Sequence, residues 1–355
     1  MMAALDGQDA PGCRDHLGRR TVTLLMLLCL LVAVLSLHSG AADLRVWPAL
    51  TGALTGAPTD PMAQMVMVQI RLPRLISGIL IGASLAVAGV LMQGLFRNPL
   101  ADPGLLGVSA GASLGAIFAI VLGGTLPAVI RDALGWNMVP VAAFAGGLAA
   151  MLLLYRIATR SGRTSVATML LAGIALGAMV SALSGMIIFR ATDSQLRDLT
   201  FWGLGSLAGA SWAKLSAAAP LMIVALAAAL PLARGLNALA LGEAVAAHIG
   251  TPVQAVKTRA ILCAAALTGA SVALAGGIGF IGIVAPHLLR LVIGPDHRWL
   301  LPGSALFGAA LLAAADIASR TLVAPAELPI GILTAMIGGP FFLWILLSRR
   351  GGLDL

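Results

Sequence analysis

Five histidines, three cysteines and a thin scatter of acids are the side chains of this 355-residue sequence that could hold a metal or relay a proton. Neutral imidazole is a good iron ligand, yet among His16, His38, His248, His287 and His297 none pairs with another at ligand spacing. His287 and His297 stand in the strings PHLLR and PDHR, which look structural, so no metal ligand is expected. Cys13, Cys29 and Cys263 lie in the polar tail and in apolar runs, without zinc spacing or a disulfide framework. Asp316 is the acid deepest in an apolar run, and Arg320 follows it by four residues, so pairing is a simpler account than a proton relay. No GxxxxGK[ST] phosphate loop is present, so the chain is not expected to hydrolyse ATP. The remaining chemistry is charge recognition. Arg71 and Arg74, three residues apart, share one face of any helix that carries them.

The elements that must position these groups are apolar. Hydrophobic residues make up 59% of the chain and charged residues 10%, against about a quarter charged in soluble domains. The chain therefore reads as a polytopic membrane protein in a lipid bilayer. Its runs are continuously apolar rather than alternating, which favours helices over a β-barrel and makes the fold class all-α. At about 20 residues per crossing, there is room for about ten spans. The net charge of +8 would suggest nucleic acid in a soluble protein. Here the basic residues sit at segment ends, as topology signals, and no nucleic-acid site is expected.

The candidate spans are 21–37, 64–96, 104–122, 138–158, 165–189, 212–233, 253–275, 279–293, 299–319 and 328–348. Residues 1–18 read as a cytoplasmic tail and 19–355 as one transmembrane domain, with 234–257 as its longest inner connection. Arg14/Arg19/Arg20, Arg97, Arg156/Arg160/Arg163, Arg234/Lys257/Arg259, Arg290/Arg298 and Arg349/Arg350 fall on alternate, inner connections. The outer ones mix bases with acids, as in Asp43/Arg45/Asp60 and Arg190/Asp193/Arg197/Asp198. The positive-inside rule then puts both termini in the cytoplasm.

Displacing the sequence by 187 positions lays Ile81–Gly107 on Thr268–Gly294. Ser84 falls on Ser271 and Pro99 on Pro286, besides several Ala and Gly matches that composition alone would explain. The copies begin in the second and seventh spans, an odd number apart, so they are expected to cross in opposite senses. This inverted repeat, second to fifth against seventh to tenth spans, is a frequent transporter architecture. The small pairs Gly78/Gly82, Gly111/Gly115 and Gly173/Gly177 suit close helix contact.

Three stretches carry long motifs: RLPR…GASLAVAGVLMQGLFRNPLADPGLLGVSAGASLG, GFIGIVAPHLLRLVIGPDHRWLLPGSALFGA and ADIASR…AELPIGILTAMIGGPFFLWILL. From about Arg71 to Leu347 the chain resembles the permease family of bacterial iron-siderophore, haem and cobalamin ABC importers. The resemblance implies a homodimer in the bacterial inner membrane, two ATP-binding cassette subunits and a periplasmic binding protein. It implies no cofactor on this chain, with ATP and magnesium held by the partner ATPase. Arg71, Arg74 and Arg320, otherwise readable as snorkelling anchors, would dock glutamates of the binding protein. Asn98, Leu100, Thr164 and Ser165, with Gly162 opening that connection, would form the cytoplasmic gate. Leu239, Leu241, Gly242, Glu243, Ala246, His248 and Gly250 would sit on the ATPase, with Leu236, Leu239, Leu241, Val245 and Ile249 along one side of a helix.

The stretch Ser194–Trp212 looks most like haem permeases, and Phe201 and Trp202 could stack on a flat ring along the substrate path. Haem is thus the first reading, a ferric siderophore the second and cobalamin the third. The expected mechanism is ATP-driven alternating access around a cavity lined by the second, fifth and tenth spans or their neighbours. An ion-coupled secondary transporter would want mid-span acids or histidines, and a membrane enzyme a polar cluster at one face.

Overall fold

The computed structural model describes residues 11–39, 48, 55, 60–160 and 163–348. Of the sequence expectations, residues 1–10 of the tail, Asp43/Arg45, Gly162 and Arg349/Arg350 lie outside the described residues.

The chain is a helical bundle. In order it forms α1 (Pro11–His38), α2 (Pro61–Phe96), α3 (Val108–Leu122), α4 (Ala128–Leu134), α5 (Met138–Ala158), α6 (Val166–Ile188) and α7 (Asp193–Gly203). There follow α8 (Trp212–Ala229), α9 (Ala233–Ala240), α10 (Glu243–His248), α11 (Val253–Ala275), α12 (Ile281–Ile293), α13 (His297–Thr321) and α14 (Ile330–Ser348). Each of the ten expected spans coincides with one of these helices. Among the described residues, eight helices are long and apolar enough to cross a bilayer, with Ile281–Ile293 and Ile330–Ile345 shorter. The 13 residues of α12 rise about 20 Å, less than the roughly 30 Å hydrocarbon core. The non-helical turn before α12 bends at Gly276 (φ 73°), which packs against Trp202, and at Phe280 (φ 67°), and it lines a cavity, a setting where such backbone is tolerated.

The core is built round α2, whose most apolar window is 83% buried. A helix apolar on every side belongs in the middle of a bundle, and α2 packs against α11, α12 and α13. Small residues permit these approaches. A Cβ on Gly82 would strike the backbone of Gly308 in α13, and one on Gly89 the backbone of Gly282 in α12. Gly111 and Gly115 of α3 meet α5 at Gly146 and Ala142 in the same way. Gly177 of α6 differs, because among the described residues nothing lies within 4 Å of the space a Cβ would fill.

The structure departs from the sequence expectations in three places. Helix α1 already begins at Pro11, inside the expected tail. The stretch after Thr192, an outer connection in the sequence reading, forms α7, started by a capping box in which Thr192 and Gln195 satisfy each other's backbone N–H groups. The two copies of the repeat also break at different points. Helix α2 runs on to Phe96 and leaves Pro99 in a turn, whereas α11 ends at Ala275 and Pro286 falls inside α12.

Candidate functional site

Polar side chains gather at the two ends of α2, about 36 Å apart along its axis from Arg74 to Asn98. At the first end, a π-helical turn over Val66–Arg71 precedes Pro73. Proline cannot donate to, and clashes with, the carbonyl four residues back, and a widened turn accommodates it. Arg71 and Arg74 both point into the bundle, where they are 5% and 6% exposed. Arg71 Nη1 donates to the Leu37 carbonyl at 2.5 Å. Arg74 Nε donates to Asp316 Oδ1 at 2.9 Å, and its Nη1 to Glu327 Oε1 at 2.8 Å. Arg320 Nε lies 3.1 Å from Asp316 Oδ2, while its Nη groups donate to Ser36 Oγ at 2.9 Å and the Ser39 carbonyl at 2.8 Å.

The three arginines are thus one cluster that closes α1, α2 and α13 together, with Asp316 shared between two of them. They are not snorkelling outward. Glu327 is the accessible carboxylate of the cluster, its side chain 39% exposed.

At the far end, α2 stops at Arg97, which takes a left-handed conformation (φ 51°) unusual for a side chain larger than glycine. Asn98 follows in a turn closed by Leu100 N–H donating to Asn98 Oδ1 at 2.9 Å. Across a cleft of about 520 Å³ lies a two-residue ribbon, Thr159–Arg160 paired with Arg163–Thr164, that joins α5 to α6. The cleft brings Asn98, Thr164, Ser165, Glu243 and Lys257 together, and Leu100 does not line it. Thr164 and Ser165 do different things. Ser165 is exposed and caps α6 by accepting from Thr168 N at 3.3 Å. Thr164 is buried, its N–H donating to Gln254 Oε1 at 2.9 Å and its carbonyl accepting from Lys257 Nζ at 3.0 Å. Lys257 Nζ also lies 2.6 Å from Glu243 Oε1. In sequence Lys257 reads only as a topology charge, and its spacing from Thr164 offers no signal of this bridge.

The expected one-sided apolar stripe of the 234–257 connection divides into two. Leu236, Leu239 and Ala246 are buried against the bundle, whereas Leu241, Val245 and Ile249 are exposed. The reason is the chain reversal at Gly242 (φ 108°), which separates α9 from α10 and breaks the helical periodicity. Gly250 (φ 81°) ends α10 in the same way. His248 turns its Nδ1 to the Ala244 carbonyl at 2.8 Å on the exposed side.

The two histidines of the PHLLR and PDHR strings pack within the bundle. His287 meets the Phe341 ring edge-on, and His297 Nδ1 lies 2.7 Å from Asn237 Oδ1. Asn237 also donates to Asp296, which caps α13. Partial burial pushes the Asp296 carboxyl up, but hydrogen bonds from Arg298 and Asn237 outweigh it and hold it below the usual carboxylate range. Among the described residues, no three His, Cys, Asp or Glu side chains form a metal-holding group. Asp102, in the turn after α2, is pushed up by burial, against the opposing hydrogen bond from Gly104 N–H at 2.7 Å.

Phe201 and Trp202 separate on α7. Phe201 is 63% exposed, while Trp202 packs beside Ala112, Ala116, Ala143 and Val272. Of the three spans expected to line a cavity, α2 is covered by its own chain. Helices α6 and α14 leave Leu171, Ile174, Met186, Met336 and Trp344 exposed.

Comparison with known proteins matches this bundle over nearly its full length. The hemin transport system permease protein HmuU of Yersinia pestis is 45% identical over 326 residues, covering 92% of this chain and 96% of that protein. The cobalamin import system permease protein BtuC of Halobacterium salinarum is 44% identical over 309 residues, covering 86% and 80%. Among solved structures, a metal-chelate type ABC transporter in an inward-facing conformation superposes with a TM-score of 0.81 at 31% identity, covering 93% of this chain and 99% of that one. Residues 26–348, from α1 to the end of α14, carry the family's own pattern, and the chain belongs to the FecCD transport family.

Proposed function

We propose that this chain is the permease subunit of an ATP-driven importer that takes haem from a binding protein and passes it into the cytoplasm. The observation that carries the reading is the 45% identity with a hemin transport permease across 92% of the chain. A ferric siderophore or cobalamin is the second reading, favoured by the cobalamin permease at 44%. Haem comes first because the Ser194–Trp212 stretch, with Phe201 exposed on α7, looks most like haem permeases and offers a flat aromatic surface.

In this reading two copies of the chain face each other in the bacterial inner membrane, with both termini cytoplasmic. The exposed faces of α6 and α14, including the open space at Gly177, support a partner there. The two halves are related as an inverted repeat about the path. A binding protein docks at the Arg74 end. Since Arg71, Arg74 and Arg320 are already paired, its carboxylates enter on the Glu327 side and compete for Arg74. Two ATP-binding subunits, which hold the ATP and magnesium, seat on Leu241, Val245 and Ile249 at the other end. Asn98, Leu100, Thr164 and Ser165 close the path on that side.

Growth of a haem-dependent bacterium lacking its own haem permease, and supplied with this chain and its partner subunits, tests the substrate. Growth on haem as sole iron source supports the haem reading. Rescue of cobalamin or siderophore use instead, with none on haem, replaces it.

A further inference from the structure

Lys257 is a buried cation whose two partners lie on different elements. Its side chain is 3% exposed, and Nζ sits 2.6 Å from Glu243 Oε1 and 3.0 Å from the Thr164 carbonyl. One turn earlier on α11, Gln254 Oε1 accepts the Thr164 N–H at 2.9 Å. Gln254 and Lys257, three apart on one helical face, therefore grip Thr164 at both its backbone groups.

Each partner leads to a different element. Glu243 is the first residue of α10, a six-residue helix flanked by Gly242 (φ 108°) and Gly250 (φ 81°). Both glycines hold conformations that other residues rarely adopt, so they break the helix on either side and set α10 apart as a short separate piece. Its outer side carries the exposed Val245, with Leu241 and Ile249 at its two ends. Thr164 belongs to the ribbon that continues through Ser165, the cap of α6. A displacement of α10 thus reaches α6 through one ammonium group. A buried ammonium does not part from its carboxylate without leaving a charge unpaired, so the link is stiff.

Resting on the transport reading above, we propose that Lys257 is the positioning residue that transmits motion of the ATPase-facing helix α10 to the gate at Thr164. Lys257 acts through Glu243 and Thr164. Its work is to make ATP hydrolysis and gate movement one event.

The experiment measures haem transported per ATP hydrolysed, in proteoliposomes holding the whole complex of chain, partner ATPase and haem-charged binding protein. Lys257→Met should lower this ratio at least about fivefold, because hydrolysis proceeds without opening the gate, and Lys257→Arg should restore most of it. Glu243→Gln, at a site with a half-exposed side chain, should lower it too and serves if Lys257→Met does not assemble. The double variant should be no worse than Lys257→Met alone, since both changes break one link. A purely structural role would reduce the amount of active complex but leave the ratio alone. A wild-type ratio in Lys257→Met, or in Glu243→Gln where that variant stands in, would overturn the proposal, as would a double variant whose loss is the product of the single losses. If wild-type liposomes show no ATP-driven uptake of haem, the transport reading itself fails, and the inference falls with it.

Discussion

Arg74 reaches Asp316 across 242 residues of chain, and neither side chain of the pair is more than 8% exposed. Nε makes the hydrogen bond, while Nη2, also 2.9 Å from Oδ1, is at ion-pair distance without hydrogen-bond alignment. Asp316 in turn holds Arg320 through its other oxygen. Removing the carboxylate takes away the ion-pair partner of buried Arg320 and leaves Arg74 with the part-exposed Glu327. Breaking a buried pair from one side typically costs about 3–5 kcal/mol, whereas an exposed pair is worth about 0–1 kcal/mol. Asp316→Asn should therefore lower the thermal unfolding midpoint in detergent strongly, and Glu327→Gln should barely move it. Equal shifts would contradict this account of the cluster.

Glu327 has a second consequence. It occupies Arg74 Nη1 on the accessible side of the cluster, so it competes with any carboxylate a docking protein brings. Glu327→Gln should tighten binding of the binding protein by severalfold in a surface-capture assay, and Arg74→Ala should weaken it. An unchanged affinity in both would remove Arg74 from the docking surface.

In the proposed reading the ATPase seats on the apolar patch of Leu241, Val245 and Ile249, exposed around the Gly242 turn. Placing a charge in such a contact removes an anchor worth about 2 kcal/mol or more. Leu241→Asp should weaken assembly with the partner ATPase at least about tenfold, as read by co-purification, while leaving the unfolding temperature within the range of surface substitutions. Intact assembly would move the seat elsewhere.

Burial holds the Asp102 pKa above its unfolded value of about 4. The folded chain therefore keeps this proton longer than the unfolded chain. The resulting stability is greatest below that pH, falls as pH rises through the interval up to the raised folded value, and is level beyond it. Asp102→Asn keeps an oxygen for the Gly104 N–H and removes the titration. As pH rises above the unfolded value of about 4, unfolding midpoints should fall more steeply in the parent than in Asp102→Asn. Identical slopes would show that Asp102 titrates normally.

Much of the fold is legible in the sequence because long apolar runs admit few structures besides spanning helices, and all ten runs form helices. Which helix lies in the middle is not legible. Helices α2 and α6 are both continuously apolar, yet most of α2 is buried and most of α6 is not, because lipid and protein interior select the same side chains. The capping box at Thr192 and Gln195 was readable and would have revealed α7. Of the Arg74 cluster, the Arg71–Arg74 and Asp316–Arg320 spacings show in sequence, whereas the joining of the two pairs and of Glu327 comes from tertiary packing. The Lys257 bridge is equally long-range, with Thr164 lying 93 residues away.

The most direct measurement of the central claim is uptake of haem into proteoliposomes containing this chain, its partner ATPase and haem-charged binding protein, with ATP or an ion gradient as the energy source. The account predicts accumulation that requires hydrolysable ATP, requires the binding protein and ignores the gradient. Accumulation driven by the gradient in the absence of the ATPase would contradict it.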